Sequence, residues 1–76
     1  MSVIKVIEIM ANSNISWEDA AQQAVNEASK SIRNIKSIYI KEHSASVENN
    51  KIVEYRITAK LSFELDQVII SSDEDD

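Results

Sequence analysis

From Ile52 to Leu65 the side chains alternate almost without error. Val53, Tyr55, Ile57, Ala59, Leu61, Phe63 and Leu65 fall on one side, and Glu54, Arg56, Thr58, Lys60, Ser62 and Glu64 on the other. A period of two sustained over this length specifies one long, half-buried strand. At about 3.3 Å per residue it presents an apolar face roughly 45 Å long, with ladder groups along both edges. A chain of 76 residues has little else to cover such a strand, since domains of about 60 residues bury only about 60% of the surface they expose when unfolded. The natural cover is further copies of the same chain.

Composition removes the other ways of stabilising so small a domain. There is no cysteine to form a disulfide, and a single histidine without cysteine cannot build a structural zinc site. Self-association is the remaining source of stability. Glycine and proline are also absent, so the turns must rely on Asn and Ser, and a glycine-rich phosphate loop is excluded. The net charge of −5 argues against nucleic acid as a partner, because that binding rests on clustered Lys and Arg. No stretch reaches the roughly 18 apolar residues of a membrane span, and no signal peptide is recognisable, so a cytoplasmic protein with no membrane partner is expected.

Four elements are predicted. Val3 to Met10 reads as a strand with apolar residues on both faces: Val3, Ile7 and Ile9 on one, Ile4, Val6 and Met10 on the other. A helix should cover one face and a neighbouring subunit the other. After a loop at Asn12, Ser13 and Asn14, Ser16 and Asp19 have the spacing of a capping box, and the helix is expected from Trp17 to about Arg33 with Asn34 as its C-cap. Its stripe of Trp17, Ala20, Ala21, Ala24, Val25, Ala28 and Ile32 fits a 3.6-residue period and is mostly alanine, which allows close approach to large side chains on the sheet. Ile35 to Val47 is the second strand. A primed turn at Asn49-Asn50 sets Glu48 opposite Lys51, Ile38 opposite Leu61 and Ile40 opposite Ala59. The same register places Tyr39, Lys41 and His43 on the polar face with Lys60, Thr58 and Arg56, and a slip by one would put Lys41 and His43 against the core. The fold is therefore α+β, a β-α-β-β chain whose third strand lies between the first two in an antiparallel sheet wrapped on one helix. The domain spans residues 1–66. Residues 67–76, with the apolar Val68-Ile69-Ile70 and the acidic Ser71–Asp76, are expected to be an extension with a disordered tail.

These elements, with the opening Val3-Ile4-Lys5-Val6-Ile7-Glu8-Ile9, the helix entry Ser16-Trp17-Glu18-Asp19-Ala20-Ala21, the exit Ile32-Arg33-Asn34 and the ending Phe63-Glu64-Leu65, together resemble the dodecins. The resemblance covers residues 2 to 66. It implies a hollow homododecamer and a non-catalytic role in storing or sequestering a small molecule, for the best-known members a flavin such as FMN or riboflavin. Those members stack the flavin ring on a tryptophan early in the second strand and hydrogen-bond it with a glutamine on the third. Aligned on Asn34 and on Tyr55-Arg56, these positions carry Ser37 and Arg56 here. The implied ligand-binding residues are Ser37, Tyr39, Arg56 and Thr58, with Tyr39 a candidate replacement for the missing indole. Arg56 has the chemistry to stack on a ring or to hold a phosphate or carboxylate.

Other residues have plainer readings. Trp17, at the first helical turn, is read as packing over the sheet edge. His43, with basic neighbours, is read as a solvent or interface residue and not a metal ligand. Lys41, Arg56 and Lys60 form a solvated face crossed by Glu54. Asp73 to Asp76 offer hard oxygen ligands but lack the glycine turn and spacing of a calcium loop, so no metal site is assigned within the chain. Carboxylates gathered from several subunits are the basis of the alternative function, a structural or divalent-cation-binding assembly without flavin. No nucleophile–base pair or oxyanion loop is discernible and no catalytic residue is assigned.

Overall fold

In a computed structural model of the chain, residues 3–65 are described. The expected extension from 67, its apolar run and its acidic tail lie outside the described residues. Strand β1 (Ile4–Ser13) leads to helix α1 (Trp17–Ala28), then to β2 (Ile35–Glu48) and β3 (Lys51–Glu64). The sheet order is β1-β3-β2 with both pairings antiparallel, as the sequence predicts. The long alternating strand is the central one.

The start of α1 follows the predicted capping geometry. Ser16 Oγ accepts the Asp19 N–H at 2.9 Å, closing one half of the box. The Asp19 carboxylate does not return to Ser16. It accepts the Ser13 hydroxyl at 2.6 Å and the Gln23 amide at 3.2 Å. Ser13 is buried, and its oxygen also accepts the Ile15 N–H at 2.9 Å. β1 thus runs three residues beyond Met10, and its last residue ties the sheet to the helix entry.

The helix ends earlier than the apolar stripe suggests, at Ala28 and not near Arg33. Ser29 caps it. The Ser29 hydroxyl donates to the Asn26 carbonyl at 2.7 Å, and Lys30 and Ser31 form tighter bonds to Glu27 and Ala28, at 3.2 and 3.1 Å. Serines at 29 and 31 compete for backbone groups and favour this exit. Asn34 does adopt a left-handed conformation (φ 64°), but five residues past the cap. There its carbonyl accepts the Glu64 N–H at 3.0 Å, so it shapes the entry to β2.

Every member of the predicted helical stripe is buried or half-buried. Ala20 packs against Ile57 and Ala59 with no solvent contact, and Ile9, Ala11, Trp17, Ala21 and Ile38 close around them. Alanine on the helix lets the two backbones approach, while Ile57 and Leu61 are the largest fully buried side chains.

The predicted hairpin register holds at the turn and from Ser37 to Ile40, but not in the middle, nor at Ile35, which faces Phe63 with Lys36 as an extra residue on β2. Asn49 and Asn50 both have positive φ (52° and 64°), the primed turn that sets Glu48 opposite Lys51. Ile38, Tyr39 and Ile40 face Leu61, Lys60 and Ala59 as expected. Between them two irregularities displace the pairing by one residue. Lys41 is an extra residue on β2 between Ile40 and Glu42, and Val53 is its counterpart on β3. His43 therefore faces Ile57, on the helix side, and not Arg56. The predicted obstacle was a buried charge at Lys41. The bulge removes it, because Lys41 stays on the open face and reaches Glu8 across the sheet at 3.2 Å. His43 then packs its ring edge-on to Trp17 at 5.2 Å, and Tyr55 does the same from β3 at 4.9 Å. Trp17 Nε1 donates to the Ser44 carbonyl at 2.9 Å, so the indole is a packing residue, as its position predicted.

Candidate functional site

The helix covers one face of the sheet. The other face is open, and pairing across the three strands arranges it in rows. Val6, Ser62 and Ser37 make one row; Glu8, Lys60 and Tyr39 the next; then Met10, Thr58 and Glu42; then Asn12, Arg56 and Ser44. Apolar and polar groups are interleaved in the open. Tyr39 is 64% exposed and Met10 68%, and Ile4 and Val6 are about half exposed.

All four predicted ligand residues lie on this face, but along a ribbon and not at one point. Tyr39 is opposite Lys60, and Thr58 is the next residue of the same face on β3, which makes Tyr39 and Thr58 diagonal neighbours about 7–8 Å apart. Ser37 is one row beyond Tyr39. Its hydroxyl pairs with that of Ser62 across the strands. Arg56 is six residues from Ser62 along β3, about 20 Å at 3.3 Å per residue. Ser37 and Arg56 of one copy thus stand well apart along the ribbon and do not meet at a single ring.

Arg56 is also held away from Ser37. Its Nε donates to Asn12 Oδ1 at 3.2 Å, and Nη2 reaches Ser46 Oγ at 3.4 Å and the Glu54 carboxylate at 3.3 Å. The side chains of the ion pair are 36% and 40% exposed, where such a pair contributes about 0–1 kcal/mol. The guanidinium is fixed in direction but keeps donor capacity.

A second feature lies on the helix side. Trp17, Glu18, Ala21, Ile40, His43 and Ile57 line an apolar cleft of about 400 Å³ between α1 and β2. The smooth register had excluded His43 from this place. The signals in the chain were two breaks of alternation, adjacent polar residues at Lys41-Glu42 and adjacent apolar ones at Ile52-Val53. Each break coincides with a bulge. Among the described residues no cluster of three or more His, Asp or Glu side chains could hold a metal ion.

Comparison with known proteins fits this architecture. The profile of the dodecin family matches residues 3–66. The calcium dodecin of Mycobacterium tuberculosis is 38% identical over 65 residues, covering 86% of this chain and 92% of that protein. The chain belongs to the dodecin family. Among solved dodecin structures, a variant of the T. thermophilus dodecin superposes with a TM-score of 0.83 at 25% identity, covering 88% of this chain and all of that one. The crystal structure of the M. tuberculosis calcium dodecin, described as a calcium-chelating antigen with a novel calcium-binding site, gives 0.73 at 35% identity, covering 91% and 99%. The three-stranded antiparallel sheet with one helix is therefore the dodecin fold.

Proposed function

We propose that this dodecin is a non-catalytic protein that assembles with copies of itself and holds a small molecule against the open face of its sheet. The observation that carries the reading is that face itself: exposed apolar and aromatic groups beside hydroxyls and cations, in a chain whose family is already fixed. Exposed Ile4, Val6, Met10 and Tyr39 on this face, and Val47, Ile52 and Val53 on the hairpin, supply the apolar surface that self-association would cover. Twelve copies of the 8.6 kDa chain give an assembly of about 100 kDa, which light scattering reads directly. A mass near that of one chain would sink the assembly. A cytoplasmic location belongs to the same reading, and no helix among the described residues is long and apolar enough to cross a membrane.

The ligand class favoured is a flavin or another aromatic or anionic compound, bound through Ser37, Tyr39, Arg56 and Thr58. With serine at the position where the resemblance implies a tryptophan, stacking of about 0.5–1.5 kcal/mol per ring is lost beyond area burial. Riboflavin should accordingly quench weakly on titration. Ser37→Trp should strengthen binding, and adding Arg56→Gln should strengthen it further, by removing a charge that must be desolvated and restoring an amide that both donates and accepts. No gain in the double variant, with assembly intact, would remove flavin from this reading.

A second reading has support of its own. The M. tuberculosis relative, similar both in sequence and in its crystal structure, is a calcium dodecin. Because one described protomer lacks a ligand cluster, a divalent cation would be held by carboxylates from several copies. Calcium retained by the purified assembly after exhaustive dialysis, with no yellow colour, would favour it.

A further inference from the structure

We propose that the apolar groove between α1 and β1 is a docking site for Val68-Ile69-Ile70 of the same chain. The groove has a volume of about 410 Å³, walled by Ile7, Ile9 and Met10 on one side and Ala24 and Ala28 on the other, with Ile32 at one end. Met10 is 68% exposed, and Ile7, Ile9 and Ile32 are only half-buried. This apolar surface lies on the helix side of the sheet, apart from the open face.

The place where β3 ends decides the occupant. Leu65 donates its N–H to the Val3 carbonyl at 2.8 Å, which pins the end of β3 beside the start of β1. With Phe63, Ser31 and Ile32, Leu65 lines a smaller notch of about 240 Å³. Ser31 and Ile32 belong to both cavities, so the notch opens into the groove. Residues 66–76 therefore start at its mouth. Val68 lies within about 10 Å of Leu65 along the chain, at roughly 3.3 Å per residue, which is reach enough to pass Ile32. The run is apolar between polar Asp66-Gln67 and Ser71-Ser72, and three successive apolar residues in a polar segment call for cover. In extended backbone Val68 and Ile70 fall on one side about 7 Å apart, the same repeat as Ile7 and Ile9 on β1. Glu27 on the groove wall repels the acidic Asp73–Asp76, so the apolar run enters and the acidic end does not.

The chain has no cysteine, so an introduced pair reports without background. Ser71→Cys, just past the anchors, is combined with Glu27→Cys on the wall or, as a control, with Asn26→Cys, the neighbouring residue, exposed and not part of the wall. A disulfide needs Cα atoms within about 7 Å. Under mild oxidation of the full chain, the Glu27 pair should close about tenfold faster than the control, and within one chain, which runs at 8.6 kDa on a non-reducing gel. Adding Val68→Ser and Ile70→Ser should bring its rate down to the control's, with light scattering confirming that each variant assembles as the unmodified chain does. Equal rates at the two positions, or a fast rate that survives the serines, overturns the proposal. A cross-link between two chains also overturns it, because the segment then belongs to a neighbouring copy's groove. The unmodified protein gives a second measurement: NMR contacts between the methyl groups of Val68 or Ile70 and those of Ile7, Ile9 or Ile32 are expected, and their absence overturns the docking without any substitution.

Discussion

On the face covered by α1, Ile57, Ala59 and Leu61 lose essentially all contact with solvent, whereas Thr58, Lys60 and Ser62, the residues between and beyond them on the same strand, face the open side. One residue along the chain separates two regimes. On the covered face the outcome depends on volume, because alanines of the helix must fit against large residues of the sheet. On the open face it depends on which charge finds which partner, and exposed pairs are individually weak. Substitutions should therefore be costly for stability on the first face and nearly silent on the second, where their effects appear in binding.

The sharpest test pairs neighbours on β3. Leu61→Ala removes one of the two largest fully buried side chains and is expected to cost about 2–5 kcal/mol. Lys60→Ala, one residue away, should change stability by no more than about 0.5 kcal/mol. Denaturant midpoints measured on both variants in the same assembled state read the contrast. Similar losses would mean that the open face is as tightly packed as the covered one.

A smaller effect is expected from adding volume instead of removing it. Ala24 is buried on the face of α1 that meets the sheet, and Ala24→Leu should force the helix outward at about 1–3 kcal/mol. Unchanged thermal stability and assembly would show that the alanine stripe is not a close contact.

Trp17 joins the two regimes, since its ring packs in an aromatic group while its N–H serves one backbone carbonyl. Trp17→Phe should keep most of the packing but leave the Ser44 carbonyl without its 2.9 Å donor, at about 0.5–1.5 kcal/mol. Thermal unfolding of the variant measures it, and a loss no greater than that of an exposed substitution would show that water replaces the indole without penalty.

The covered face was the legible one. Strict alternation from Val53 to Leu65 and the 3.6-residue stripe on the helix both report burial, and burial is what residue type encodes most directly. The asparagine turn was equally legible, because positive φ at two successive positions leaves few alternatives to Asn when glycine is absent. The helix end and the hairpin bulges were not. Both depend on local competition for backbone hydrogen bonds: Ser29 closing on Asn26 in the first case, an unpaired Lys41 in the second. A smooth register assigned His43 to the open face on the argument that Lys41 could not be buried, and the chain meets that demand by letting one residue bulge. Of the candidate site, the face shared by Ser37, Tyr39, Arg56 and Thr58 followed from alternation. Their spread along a ribbon, and the ion pairs that hold Arg56 and Lys41, required knowledge of the partners.

The bulge also offers the smallest perturbation and the most exacting check on this comparison. Deleting Lys41 leaves Ile40 opposite Ala59 and Glu42 opposite Thr58, since the deleted residue is the one without a ladder partner. His43 should remain against Trp17, and Trp17 fluorescence should be unchanged. Only the exposed Lys41–Glu8 pair is lost, so the stability change should lie within about 1 kcal/mol. Deleting Ser44, from a regularly paired stretch, is the control: it forces a one-residue slip that turns one part of β2 over to the wrong face, with a far larger loss. The Lys41 deletion also releases Glu8 toward Lys60, which it faces directly. If the two deletions prove equally damaging, Lys41 is not the extra residue, and the placement of His43 on the helix side fails with it.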